Sequence, residues 1–231
     1  MPSGNFGTVF GNNHSPQQKY TNVLFAAVNS DDITEVNKIL DDISVLKLSR
    51  VIKQKELPNN KTVLHIACEN GNLDMVKALV KAGALSYAVD IYNVSPLGYA
   101  ATGGHSDIVI YLCSLPHVNP NTVRTGQFAD EMPLMYAAWK CNMEAVEALI
   151  NKGADVNAYK EVDLFTPAAY AVYNYNGKDE ADKIISLLIN KGASIDPVFL
   201  KQYKLEYSTQ YTPLSGGGRS RKSKSRKSKA R

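Results

Sequence analysis

Thr62-Val63-Leu64-His65-Ile66-Ala67-Cys68 decides the fold, because the same pattern returns along the chain. At an offset of 33 residues stands Ser95-Pro96-Leu97-Gly98-Tyr99-Ala100-Ala101. Met132-Pro133-Leu134-Met135-Tyr136-Ala137-Ala138 and Thr166-Pro167-Ala168-Ala169-Tyr170-Ala171-Val172 follow, and an eroded copy, Asn22-Val23-Leu24-Phe25-Ala26-Ala27, precedes them. The shared alanines Ala27, Ala67, Ala100, Ala137 and Ala171 are 40, 33, 37 and 34 residues apart. Self-similarity at such a period signals stacked supersecondary units rather than one closed core.

Working outward, each copy continues into a second half. Gly71-Asn72, Val76, Leu79 and Gly83-Ala84 follow Ala67; Gly104-His105, Val109 and Leu112 follow Ala100. Val146, Leu149 and Gly153-Ala154-Asp155-Val156-Asn157 follow Ala137. The last copy carries Ile185, Leu188 and Gly192-Ala193-Ser194-Ile195-Asp196, displaced by the insertion Asn174-Tyr175-Asn176-Gly177-Lys178. Thr62, Ser95 and Thr166 are helix N-caps by type, and Pro96, Pro133 and Pro167 fill the first helical position, where a missing N–H costs nothing. Gly71 and Gly104 supply a turn, after which apolar residues at i, i+3 and i+4 define an outer helix that ends at Gly83 or Gly153.

This double motif resembles the ankyrin repeat over about residues 22–196. The resemblance implies an all-α solenoid of about five helix-turn-helix repeats with hairpin loops. The expected divisions are a flexible leader at 1–19, a repeat domain at 20–207 and a disordered Gly/Ser/basic tail at 208–231. Repeats fall near 22–57, 58–89, 90–126, 127–160 and 161–196, with a closing helix at 197–207. The first repeat lacks the Thr-Pro and glycine signals and runs on from Ser44 to Lys55, as suits a terminal cap. Ala168 stands where the pattern expects leucine. The Asn-, Lys- and Tyr-rich composition with eroded repeats is similar to that of ankyrin proteins of large DNA viruses.

Charge divides the chain. Eight of its 26 basic residues lie in 219–231, where no acid occurs; the other 18 face 22 acids, so the body carries −4. A mildly acidic body is a poor phosphate-binding surface. The tail residues Arg219, Arg221, Lys222, Lys224, Arg226, Lys227, Lys229 and Arg231 are the polyanion-binding candidates. Such a run reads as a nuclear-import signal, a nucleic-acid anchor, an anionic-membrane contact or a solubilising extension, and without an aromatic to stack on bases any nucleic-acid contact lacks sequence preference. Phosphorylation of the interleaved serines would weaken that contact. Gly216-Gly217-Gly218 reads as a spacer. No secretory leader or transmembrane segment is predicted, and three unpaired cysteines point to a reducing, intracellular setting, cytoplasmic or nuclear.

The sequence holds no nucleophile elbow, phosphate loop or metal-ligand spacing, so the expectation is no enzyme and no cofactor. His65 and His105 occupy positions where ankyrin histidines brace loops, while His14 and His117 lie in loops. Cys68 and Cys141 are placed at small buried positions. The family binds partners through hairpin tips and the inner-helix surface on the concave side. Carried over, its variable positions are Asn59, Lys61, Glu69 and Asn70; Ile91, Tyr92, Val94 and Thr102; Phe128, Glu131, Trp139 and Lys140; and Val162, Asp163, Phe165 and Tyr173. The partner-binding candidates among them are Tyr92, Phe128, Trp139, Lys140, Phe165 and Tyr173, since Trp and Tyr dominate binding hot spots. Asn157, eight residues after Leu149, resembles the asparagine accepted by intracellular asparaginyl hydroxylases. The chain is expected to be a monomeric adaptor for an unidentified protein; the alternative is a nucleic-acid-associated or virion structural protein anchored by its tail.

Overall fold

The computed structural model describes residues 15–125, 131–159, 165–173 and 179–195. They form ten α-helices in five antiparallel pairs: α1 (Pro16–Asn29) with α2 (Ile33–Val45), α3 (Val63–Asn70) with α4 (Leu73–Lys81), α5 (Pro96–Gly103) with α6 (Ser106–Ser114), α7 (Pro133–Trp139) with α8 (Met143–Asn151), and α9 (Pro167–Tyr173) with α10 (Asp179–Asn190). Among the described residues the extended pairing is a single bridge, Glu56 to Lys61. The odd-numbered helices pack on one another in one layer and the even-numbered helices in a second. This is an all-α solenoid.

Local chemistry sets each boundary. Ser95 Oγ accepts the Gly98 N–H at 3.3 Å and Thr166 Oγ1 the Ala169 N–H at 3.3 Å, so both act as N-caps ahead of a proline. Outer helices start on Asp32, Asn72 and Asn142, whose side chains accept from Glu35, Met75 and Ala145. They end in Schellman closures: Gly83 has φ +99°, its N–H reaches Val80 O and the Ala84 N–H reaches Leu79 O at 2.9 Å. The same closure recurs at Gly153 and Gly192.

The core lies between the layers. Inner helices contribute Leu64, Ala67, Leu97, Ala100, Leu134, Ala137 and Ala171, all buried. Outer helices answer with Met75, Val76 and Leu79, then Ile108, Val109 and Leu112, then Ala145, Val146 and Leu149, then Ile184, Ile185 and Leu188. Each of these larger side chains contributes about 1.5–3 kcal/mol by leaving water. Alanine on the inner helices lets neighbouring repeats approach closely.

Two readings are corrected here. Helix α1 begins at Pro16, inside the stretch assigned to a flexible leader, because Ser15 caps it through the Gln18 N–H and Pro16 occupies its first turn. Cys141 is not a small core residue. It sits half-buried at φ +53°, at the turn position held by Gly71 (φ +83°) and Gly104 (φ +81°), and its N–H closes on Ala138 O at 3.0 Å. Asp31, at φ +58°, fills the same position in the first repeat. The helix-ending bonds fix that conformation whatever residue stands there. Residues 1–14, the insertion at 174–178, the closing helix expected at 197–207 and the tail at 208–231 lie outside the described residues.

Candidate functional site: the concave face

At 100° per residue, the position two beyond each buried repeat alanine points away from the core. Glu69, Thr102, Trp139 and Tyr173 occupy it on α3, α5, α7 and α9, and all four are exposed. Trp139 keeps 37 % of its surface in solvent and Tyr173 60 %. Lys140 follows Trp139 and holds its Nζ 4.9 Å from the indole centroid. Tyr92 is 40 % exposed at the tip of the hairpin before α5. Its N–H donates to Asp90 Oδ1 at 2.8 Å, and its carbonyl accepts the Thr125 N–H at 2.8 Å, joining one hairpin to the next. Phe165 is half-buried, edge-on to Tyr170 at 5.8 Å and 6.1 Å from Tyr173. Phe128, Val162 and Asp163 lie outside the described residues.

The position before each alanine holds Tyr99, Tyr136 and Tyr170, a row absent from the family's variable positions. Each hydroxyl meets a buried carboxylate. Tyr99 donates to Asp90 Oδ2 at 2.8 Å, while Asp90 Oδ1 accepts the backbone N–H of both Tyr92 and Val94. Tyr136 and Tyr170 donate to the two oxygens of Glu131, and Arg124 Nη1 donates to the Tyr136 hydroxyl at 3.1 Å, 3.9 Å from Glu131. Glu131 is therefore not a free surface position. It is 8 % exposed because three repeats converge on its carboxylate. Burial, then the bond to Glu131, pushes the Tyr136 hydroxyl up to about 12; burial and Asp90 push Tyr99 up as well. The signal was legible as Tyr-Ala in the same register of three copies.

Histidines brace the neighbouring repeats. Thr62 N–H donates to His65 Nδ1 at 3.0 Å, so the ring proton resides on Nε2 and is donated to Val94 O at 3.1 Å. Burial pushes this imidazole down to about 4. Its ring meets Tyr99 edge-on at 5.6 Å, and Lys61 Nζ lies 4.4 Å from the Tyr99 ring centroid while donating to Glu69 Oε2 at 2.6 Å. His105 Nε2 bonds Glu69 O at 3.1 Å, and Asn142, in the same register one repeat on, donates to Gly104 O at 3.1 Å. Asn157 is committed at both ends of its amide: Nδ2 donates to Gly192 O at 2.9 Å and Oδ1 accepts the Ser194 N–H at 2.7 Å.

Burial holds the Cys113 thiol up at about 11 and Cys68 higher still. Among the described residues no three His, Cys, Asp or Glu side chains group as metal ligands, and no helix is long and apolar enough to cross a membrane. What the concave face offers is a patterned surface. A small cleft of about 20 Å³ lies between α5 and α7, with Gly98 and Thr102 on one wall and Met132 and Tyr136 on the other.

Comparison with known proteins agrees with this architecture. The family model for ankyrin repeats, in three copies, matches residues 24–124 and again 115–198. The Notch-regulated ankyrin repeat-containing protein B of Danio rerio is 47 % identical over 55 residues, covering 24 % of this chain and 50 % of the relative. The Homo sapiens Notch-regulated ankyrin repeat-containing protein is also 47 % identical over 55 residues, 48 % of its length. The chain thus spans about half the length of these curated relatives. Ankyrin repeat protein nuc-2 of Neurospora crassa is 31 % identical over 107 residues, 46 % of this chain and 10 % of the relative.

Proposed function

Since this chain belongs to the ankyrin-repeat family, whose repeats are protein-interaction modules, we propose that it is a non-enzymatic adaptor that grips a partner protein on its concave face. The observation that carries this reading is Trp139. The chain leaves its sole tryptophan 37 % exposed, in a row with Tyr173, on a face whose described carboxylates Asp90, Glu131 and Glu69 are hydrogen-bonded or ion-paired. Large aromatics so placed are the usual centres of binding energy. Tyr92, Phe128, Lys140 and Phe165 complete the contact set, and the protein acts as an intracellular monomer.

The basic tail, Arg219 through Arg231, localises the complex by contacting polyanions. Eight phosphate contacts on duplex DNA would give a log–log salt slope of about −7. The test is capture of the partner by the full chain and by a chain lacking residues 215–231. An adaptor retains its protein partner without the tail; a structural protein anchored through the tail loses its main attachment, which would favour that alternative. Asn157 is the proposed hydroxylation acceptor, and an absence of added oxygen there after incubation with an asparaginyl hydroxylase removes it.

A further inference from the structure

We infer that the concave face takes an extended acidic segment of the partner, with a carboxylate on Lys140 Nζ and neighbouring apolar side chains on Trp139 and Tyr173. This deepens the concave-face reading above and rests on it.

Charge complementarity is the first argument. Three cations stand on this face among the described residues: Lys61, Arg124 and Lys140. Lys61 is bonded to Glu69 at 2.6 Å, and Arg124 donates to the Tyr136 hydroxyl beside Glu131. Lys140 is instead held 4.9 Å from the Trp139 ring, which positions an ammonium without neutralising it. Among the described carboxylates of the face, Asp90 is 6 % and Glu131 8 % exposed, and the half-exposed Glu69 is paired with Lys61. Among the described residues, the Trp139 end of this face therefore presents a cation that no carboxylate neutralises.

Register supplies the second argument. Thr102, Trp139 and Tyr173 repeat on successive inner helices, whose axes pack about 8–10 Å apart. An extended chain rises about 3.3 Å per residue, so about three residues cover one step. Thr102 Oγ1 spends its proton on Gly98 O at 2.8 Å, which leaves the oxygen as an acceptor for a backbone N–H of the segment. An acid beside Lys140, with a large apolar residue about three positions away, matches this spacing.

The probe is a display library of random twelve-residue peptides, selected on the full chain at physiological salt. Because the tail attracts acidic peptides in every sample, the measurement is a difference between variants. Enriched peptides should carry Asp or Glu about three positions from a large apolar residue. Their affinity should fall about tenfold or more with Lys140→Glu. It should hold with Lys81→Glu, an equal charge change on the outer helix. An Asp→Lys peptide should regain affinity for Lys140→Glu, which also shows that this variant is folded. Equal responses to Lys140→Glu and Lys81→Glu, or enrichment without acids, overturn the inference. If such non-acidic peptides are lost with Trp139→Ala, the concave-face reading survives; if they ignore both Trp139 and Lys140, both readings fall. Failure to enrich any peptide also overturns the linear acidic segment, and the capture experiment then judges the adaptor reading separately.

Discussion

Tyr170 on α9 donates its hydroxyl at 3.2 Å to the carboxylate of Glu131, 39 residues earlier, and Tyr136 donates to the other oxygen of the same carboxylate. One buried anion thus ties the fourth repeat to the fifth on the concave face. Glu131→Gln preserves shape but replaces one accepting oxygen with a donor, so one hydroxyl loses its acceptor and Arg124 loses the opposite charge 3.9 Å away. Hydrogen bonds to charged groups are worth about 1.5–3 kcal/mol, and urea unfolding should show a loss of about 2 kcal/mol. Glu69→Gln, in a half-exposed ion pair, should cost below about 1 kcal/mol. Equal losses would show that Glu131 is not a structural node.

Stability should fall as pH drops from about 6.5 to about 4. His65 has its folded-state pKa pushed down to about 4 by burial, so the native state binds fewer protons than the unfolded chain in this window. The contribution is complete above the unfolded value and is lost as pH falls through the folded one. The two-and-a-half-unit gap corresponds to about 3 kcal/mol at its limit. Urea melts of the wild type and of His65→Asn between pH 4 and 7 should differ in slope, with the variant flatter. Parallel profiles would exclude His65 as the source.

Gly103→Ala tests the tight seating of His105 between its own repeat and the preceding one. A Cβ at Gly103 would lie 2.4 Å from His105 Nε2, and one at Gly71 2.4 Å from His105 Cε1, so the imidazole sits between two glycines. Replacing a helical glycine by alanine ordinarily stabilises by about 1 kcal/mol. Here overpacking should reverse the sign and cost about 1–3 kcal/mol. In a His105→Ala background the same substitution should stabilise. Thermal unfolding of the four proteins reads the coupling directly, and additivity would remove the steric explanation.

The stack of helix pairs was legible because its determinants are local. Cap residues, N1 prolines and the alanine register each act within a few positions. Cys141 was misread for the opposite reason: a left-handed turn residue that is not glycine carries no signal of its own, and the Ala138 and Ala137 carbonyls impose its conformation. Glu131 was misread because its partners come from residues 124, 136 and 170, a convergence visible only once the repeats are stacked. The exposure of Trp139, in contrast, followed from helical phase relative to Ala137.

Trp139→Ala separates a recognition surface from a stable scaffold. The side chain stands on the last residue of α7, 37 % exposed, with Lys140 against its ring. Removing it opens no cavity in the core, and alanine is a better helix former than tryptophan. The change in unfolding free energy should stay below about 1 kcal/mol. Leu134→Ala, on the same helix but 1 % exposed, should cost about 2–5 kcal/mol. Partner affinity should order the two variants the other way. Loss of a hot-spot tryptophan weakens binding by about 2 kcal/mol or more, roughly thirtyfold, while folded Leu134→Ala keeps near-normal affinity. Tyr173→Ala, on the next helix of the row, should give a smaller loss if the contact is continuous. Should Trp139→Ala destabilise as much as Leu134→Ala while its folded fraction binds at full strength, the tryptophan belongs to the scaffold and the concave face must be read without it.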